Sequence, residues 1–171
     1  ARSRLPDRSD VADDLGSLES IVRDIDKTLR RELRLLHHGL AEDAGLEMAV
    51  ADLAEVTERE TDLIITTSID LRHEPSRVQL SALYRAAQEA VTNVRKHADA
   101  QNVRIEVSEQ DGRFVLQVDD DGSGNDGQPG LGLTTTSERF EALGGAASLL
   151  TRSSGGTRFE GWLPIPREPK Q

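Results

Sequence analysis

The stretch Ala86-Ala-Gln-Glu89-Ala-Val-Thr-Asn93-Val-Arg-Lys96-His97-Ala98 closes a longer amphipathic segment, and the rest of the chain is best read outward from it. Pro75 and Ser76 precede the segment, with Ser76 placed to accept from the first free amides of a helix. Leu80, Leu83, Ala87, Val91 and Val94 then recur at helical spacing, which predicts a helix from Ser76 to about His97. Glu89 and Asn93 stand four residues apart and share one face. Lys96 and His97 follow a turn later on nearly the same side. One edge of the helix thus carries a carboxylate, an amide, an ammonium and an imidazole. An amide oxygen suits Mg²⁺, which keeps several waters and takes phosphate oxygens as further ligands. Lys96 can hold a phosphate as a point charge, and Glu89 can orient or deprotonate an attacking group.

Upstream, Leu15, Leu18, Val22, Ile25, Leu29 and Leu36 form a narrow apolar seam with Glu32 in its one skipped position, which predicts a long helix over residues 10–38. Acidic residues early and Arg late in that segment suit the helix dipole, and so narrow a stripe seeks a partner helix. Gly39 and Gly45 interrupt it. A short helix from Leu46 to Thr57 and a β-branched strand from Asp62 to Thr67 come next. Downstream, Val103–Ser108 and Arg113–Val118 alternate as strands around a Gln110-Asp111-Gly112 hairpin turn. Residues 119–132 hold five Gly and four Asp and read as a loop. A helix from Thr134 to Leu143 stops at Gly144-Gly145. Two last strands, Ala147–Arg152 and Thr157–Leu163, flank Ser153-Ser154-Gly155-Gly156, and Pro164, Pro166 and Pro169 mark a tail. This order lacks the strict strand–helix alternation of a doubly wound fold. It predicts an α+β sandwich, one sheet covered by helices on one face.

Composition narrows what such a domain can do. The chain has 171 residues with 31 Asp+Glu against 21 Lys+Arg, a net charge of −10, which excludes a long basic groove for nucleic acid. It has no Cys, so neither disulfides nor a Cys-based zinc site arises. No apolar run approaches the roughly 20 residues of a membrane span. Only five residues are aromatic, which argues against an aromatic ligand cage. The start at Ala1 and a single Met, Met48, read as a piece of a longer chain.

Three glycine elements follow the Glu89–His97 stretch. Asp119-Asp120-Asp121-Gly122-Ser123-Gly124 sets a carboxylate at a strand end beside backbone that a ligand can approach closely, and a purine amino group is a natural donor to such an Asp. Gly130-Leu131-Gly132 stands just before a helix, where free amides suit phosphate. Gly155-Gly156-Thr157 leads into the last strand. Singly, each reads as a turn or a solvated face. Their order, E-x-x-x-N on a helix, D-G-x-G, G-x-G, then G-G-T, resembles the Bergerat-fold (GHKL) ATPase family. The finer resemblance is to sensor histidine kinases of the NarL type. Residues 86–98 match that group's N-box, Glu138-Arg139-Phe-Glu-Ala-Leu143-Gly144-Gly145 resembles its E-R-x-x-x-L-G-G stretch, and Trp162-Leu163-Pro164 its closing L-P. Ser123 to Pro129 resembles its short nucleotide lid.

The resemblance implies a two-layer sandwich with a mixed sheet covered by helices on one face, preceded by a long N-terminal helix. It divides the chain into residues 1–44, a remnant of the dimerisation helices; 45–166, the ATP-binding domain; and 167–171, a tail. It implies transfer of the ATP γ-phosphoryl to a histidine on an upstream helix, with Mg²⁺ as cofactor and ADP as product. It further implies a homodimer in the intact kinase and relay to a response regulator of the LuxR/NarL type in the cytoplasm. Neither nucleic acid nor membrane contact by this stretch is expected. By matching position, Asn93 binds Mg²⁺, Glu89 acts as base or polarises the attacking histidine, and Lys96 and His97 contact phosphate or ribose. Asp121 accepts from the adenine amino group, Gly122 and Gly124 leave room beside the base, and Thr157 supports the Asp. Gly130, Leu131, Gly132 and Leu133 form the lid hinge and present amides to phosphates. Two other readings of the same motifs are a non-catalytic GHKL interaction module and an anti-sigma-type serine kinase. The heptad seam and the retained Glu89 and Asn93 favour the histidine kinase. His37, His38 and His73 lack a phosphoacceptor context and read as structural or surface residues, placing that histidine upstream of Ala1. Thr135 and Thr136 stand where the family often has Gly-Met, which puts lid packing and nucleotide affinity in question.

Overall fold

A computed structural model describes residues 45–123 and 131–166, apart from the side chains of His97, Leu131 and Leu133. All of them fall in the unit Leu40–Gln171, the second of two into which the chain divides. The expected long helix over residues 10–38, and with it His37 and His38, lies outside the described residues.

The element order is α1 (Leu46–Glu60), β1 (Ile64–Asp70), α2 (Arg77–His97), β2 (Asn102–Gln110), β3 (Arg113–Asp120), α3 (Leu131–Ala142), β4 (Ala146–Thr151) and β5 (Thr157–Pro164). The strands form one sheet in the order β1-β2-β3-β5-β4. β1 pairs parallel to β2, and every other pairing is antiparallel. The sheet is therefore mixed, and α2 is the crossover that a parallel pair requires.

The predicted stripe on α2 is its buried face: Leu80, Leu83, Ala87, Val91 and Val94 all lie in the core. Ser76 caps this helix. Its hydroxyl accepts from the Gln79 amide while the Gln79 side chain accepts from the Ser76 amide, a capping box. Gln79 Nε2 also donates to the Pro164 carbonyl at 2.8 Å, tying the start of α2 to the end of β5. On the sheet, Val103, Ile105 and Val107 of β2, Phe114, Leu116 and Val118 of β3, and Phe159 and Leu163 of β5 are buried. Alternation places these side chains on the helix-covered face. Phe140 of α3 packs edge-on to Phe159, ring centroids 6.4 Å apart.

The opposite face carries polar rows across three strands. Arg104, Asp119 and Arg158 are in register, as are Glu106, Gln117 and Glu160. Arg158 grips Asp119 with two hydrogen bonds of 2.6 and 2.7 Å. Gln117 donates to Glu160 at 2.7 Å, and Arg113 lies over the Trp162 ring. At the outer edge of β1, the Ile65 amide donates to Glu58 Oε1 of α1 at 2.7 Å.

The turn at residues 110–112 is sharper than its sequence alone shows. Asp111 (φ 50°) and Gly112 (φ 73°) both occupy the left-handed region, as a two-residue hairpin of matching twist requires. The helix predicted from Thr134 starts three residues earlier, at Leu131, and Asp119 and Asp120 belong to β3 rather than to the loop. α3 ends where the glycines predict. Gly144 has φ 78°, and the Gly145 amide reaches back to the Phe140 carbonyl at 2.8 Å, a Schellman closure.

Candidate functional site

Two clusters of the predicted residues form, one against the middle of α2 and one beyond its C-terminus. In the first, Glu89 and Asn93 are both half-buried, one turn apart, and Lys96 is exposed. The start of α3 comes down on this face. A Cβ built on Gly132 would stand 1.8 Å from Glu89 Oε1. The Glu89 carboxylate thus lies directly on the Gly132 backbone, an approach open only to glycine. Thr136 is buried, and its hydroxyl donates to the Gly132 carbonyl at 2.9 Å. Thr136 therefore holds that first turn rather than disturbing it.

The second cluster gathers around the end of β3. Asp120 is 4% exposed, and its Oδ1 accepts from the Gly122 amide at 2.9 Å. Asp119 pairs with Arg158, so Thr157 lies opposite Asp120 at the end of that ladder, and it is buried too. Gly156, with φ 79°, passes so close to Asp120 that a Cβ there would meet the Asp120 carbonyl at 2.0 Å. Arg152 Nη1 donates to the same carbonyl at 3.1 Å. Gly122 lies as close to the Ala98 carbonyl at the end of α2, which accepts from the Ser123 amide at 2.8 Å.

Asp121 is the residue whose surroundings differ from expectation. It is exposed and turned out of this cluster. Its Oδ1 accepts from the Gln101 and Asn102 amides at 2.9 and 2.8 Å, and its Oδ2 accepts from Asn102 Nδ2 at 2.7 Å. The bond from the Asn102 side chain, then those from the backbone, hold its carboxyl below the usual range. The carboxylate that sits inside the cluster is Asp120. Strand alternation signals this: Phe114, Leu116 and Val118 point to the covered face, and position 120 is the next in that series. Gly124 and Gly130 lie outside the described residues. Of His97, Leu131 and Leu133 only the backbone is described, at the end of α2 and in the first turn of α3. His73 is a surface residue, its Nδ1 3.0 Å from Glu109 Oε2.

The described residues thus include a helix with a Glu-x-x-x-Asn face, a buried Asp beside two glycine turns, and a second helix with glycine in its first turn. The sequence profile of the histidine kinase-, DNA gyrase B- and HSP90-like ATPases matches residues 79–167, which include both clusters. The chain belongs to that family. Within it, the chain carries an ATP-binding catalytic domain of the sensor histidine kinase type. It is 34% identical to the signal transduction histidine-protein kinase/phosphatase UhpB of Salmonella typhimurium over 86% of this chain and 30% of that protein. It is 28% identical to the kinase/phosphatase DegS of Brevibacillus brevis over 91% of this chain and 42% of that one. The chain spans well under half the length of these relatives. The ATP-binding domain of PrrB from Mycobacterium tuberculosis has the same fold (TM-score 0.56, 24% identity, 68% of this chain and 90% of that one). So does the histidine kinase domain of a blue-light activated kinase of Erythrobacter litoralis (TM-score 0.56, 19% identity, 70% and 59%). Among the described residues, no helix is long and apolar enough to cross a membrane.

Proposed function

We propose that this domain binds ATP with Mg²⁺ and presents the γ-phosphoryl to a histidine on a helix of the intact, dimeric kinase. ADP is the product, and the phosphoryl passes on to a response regulator of the LuxR/NarL type. The observation that carries this reading is the Glu89 carboxylate lying on the Gly132 backbone. It brings the one acid of the α2 face to the helix start whose amides suit phosphate.

Transfer of this kind rests on positioning and charge neutralisation more than on covalent work by the protein. Glu89 is the group to polarise the attacking histidine or take its proton. The donor set suits Mg²⁺ held chiefly by substrate. Among the described residues no three His, Cys, Asp or Glu side chains group to hold a metal alone, whereas the half-buried Asn93 offers one hard amide oxygen on the Glu89 face. Mg²⁺, when bound there, would neutralise charge on the phosphates. Lys96 adds a mobile positive charge at the same end. At the other end the adenine amino group has its acceptor in Asp120 rather than Asp121. Thr157 and the Gly156 turn support it, and Gly122 leaves the base room. UhpB and DegS are both named signal transduction histidine-protein kinase/phosphatases, which supports the histidine and response-regulator steps.

Calorimetry with a non-hydrolysable ATP analogue and Mg²⁺ tests the binding step, and absence of binding by the parent chain would sink the proposal. Asn93→Ala should lose the Mg²⁺ dependence, and Asp120→Asn should lose the preference for adenine over guanine. Acid-labile phosphate on the intact kinase tests the transfer.

A further inference from the structure

We infer that Asp121 is a positioning residue: it latches the end of β3 that bears Asp120 to the chain leaving α2 and so fixes the separation between the two ends of the nucleotide site. The inference rests on the ATP-binding reading.

The chain must turn from helix to strand between His97 and Asn102. Within that turn Asp99 has φ 49°, in the left-handed region that few non-glycine residues other than Asn and Asp adopt. Asp121 is what holds the far side of the turn. Its carboxylate takes two successive backbone amides and the Asn102 side-chain amide. The Asp121 amide in turn donates to the Asn102 carbonyl at 3.3 Å, and two residues on, the Ser123 amide donates to Ala98. Asn102 is the first residue of β2, and Ala98 is the C-cap of α2. One exposed carboxylate therefore joins the turn that follows the helix bearing Glu89 and Asn93 to the strand end bearing Asp120, and the Ser123 amide adds the bond to the helix end itself. Bonds to an ionised acceptor are about twice as strong as neutral ones, which suits a clamp on a surface turn.

ATP spans both ends, so its affinity gains from their being held at the right distance, as a bivalent ligand gains from a matched spacing. Adenosine occupies one end and gains nothing. Asp121→Ala should therefore weaken the Mg²⁺–ATP analogue about tenfold while leaving adenosine, titrated by amide chemical shifts, nearly unchanged. Asp121→Asn should recover most of the lost affinity, because an amide oxygen accepts the same two backbone donors, each more weakly than a carboxylate, once the Asn102 amide turns over. Amide hydrogen exchange at Gln101 and Asn102 should quicken in the Ala variant and not in the Asn variant. Equal weakening of adenosine and the ATP analogue would overturn the latch, since it would mean that Asp121 touches the base. Unaltered exchange and affinity in Asp121→Ala would also overturn it. A parent chain that binds no ATP analogue defeats the functional reading alone, and the exchange comparison then still decides the latch.

Discussion

Glu89 keeps its place only because position 132 has no side chain. Gly132→Ala ought to strengthen α3 by about 1 kcal/mol on helix propensity. The new methyl, however, would stand 1.8 Å from Glu89 Oε1, and the carboxylate is the part free to move. The expected outcome in the intact kinase is slower phosphoryl transfer with nucleotide affinity retained. In a Glu89→Gln background the same substitution should add no further loss of transfer, because both changes act through one carboxylate. Additive losses, or weaker nucleotide binding in Gly132→Ala, would show that the glycine serves the phosphates and not Glu89. At this scale the local setting of the proposed site residues was legible: Glu89 and Asn93 on one half-buried face of α2, Gly132 in the first turn of α3 and Thr157 at the start of β5. The contact between Glu89 and Gly132 was not, because it joins positions 43 apart in the chain through tertiary packing. The choice of Asp120 over Asp121 was written in the two-residue period of β3 and hidden by three consecutive aspartates. Asp120 alone of the three is fully enclosed by its neighbours, and composition does not tell which one that is.

Among elements, β3 and β5 carry a pH dependence. The bidentate Arg158 bond holds the Asp119 carboxyl below its ordinary range, against the opposing pull of partial burial. A group whose folded value is depressed stabilises the fold above its unfolded value, about 3.9, and loses that contribution as pH falls through the folded value. Acid unfolding followed by circular dichroism should therefore become shallower below about pH 4 in Asp119→Asn, with stability near neutrality reduced by the weakened bond. An unchanged acid limb would mean that solvent screens the pair fully. The strands themselves were legible from alternation, and α2 from its stripe and cap. The start of α3 was not, because Gly130-Leu131-Gly132 has a turn's composition, and packing of Gly132 against Glu89, with the Thr136 bond, makes the helix begin there. Which strands pair, and that β5 enters between β3 and β4, depends on long-range register that no local pattern encodes.

For the whole molecule, the sheet has two kinds of attachment. β2, β3, β5 and β4 are joined by antiparallel ladders. β1 has one neighbour, held parallel, and of its seven residues only Ile65 is fully buried. The sequence showed β1 as a strand but not its place at the rim. Its free side is partly stopped by Glu58, which occupies the Ile65 amide and leaves one donor fewer to an incoming strand. An edge strand with so little buried surface comes away before the central strands of its sheet. Native-state hydrogen exchange should find α1 and β1 opening together, at a lower free energy than β2, β3 and β5 and before the nucleotide site is lost. Uniform exchange across all five strands would refute this. The domain then behaves as two cooperative units of unequal lifetime, and the short-lived one is where the chain enters from residue 44.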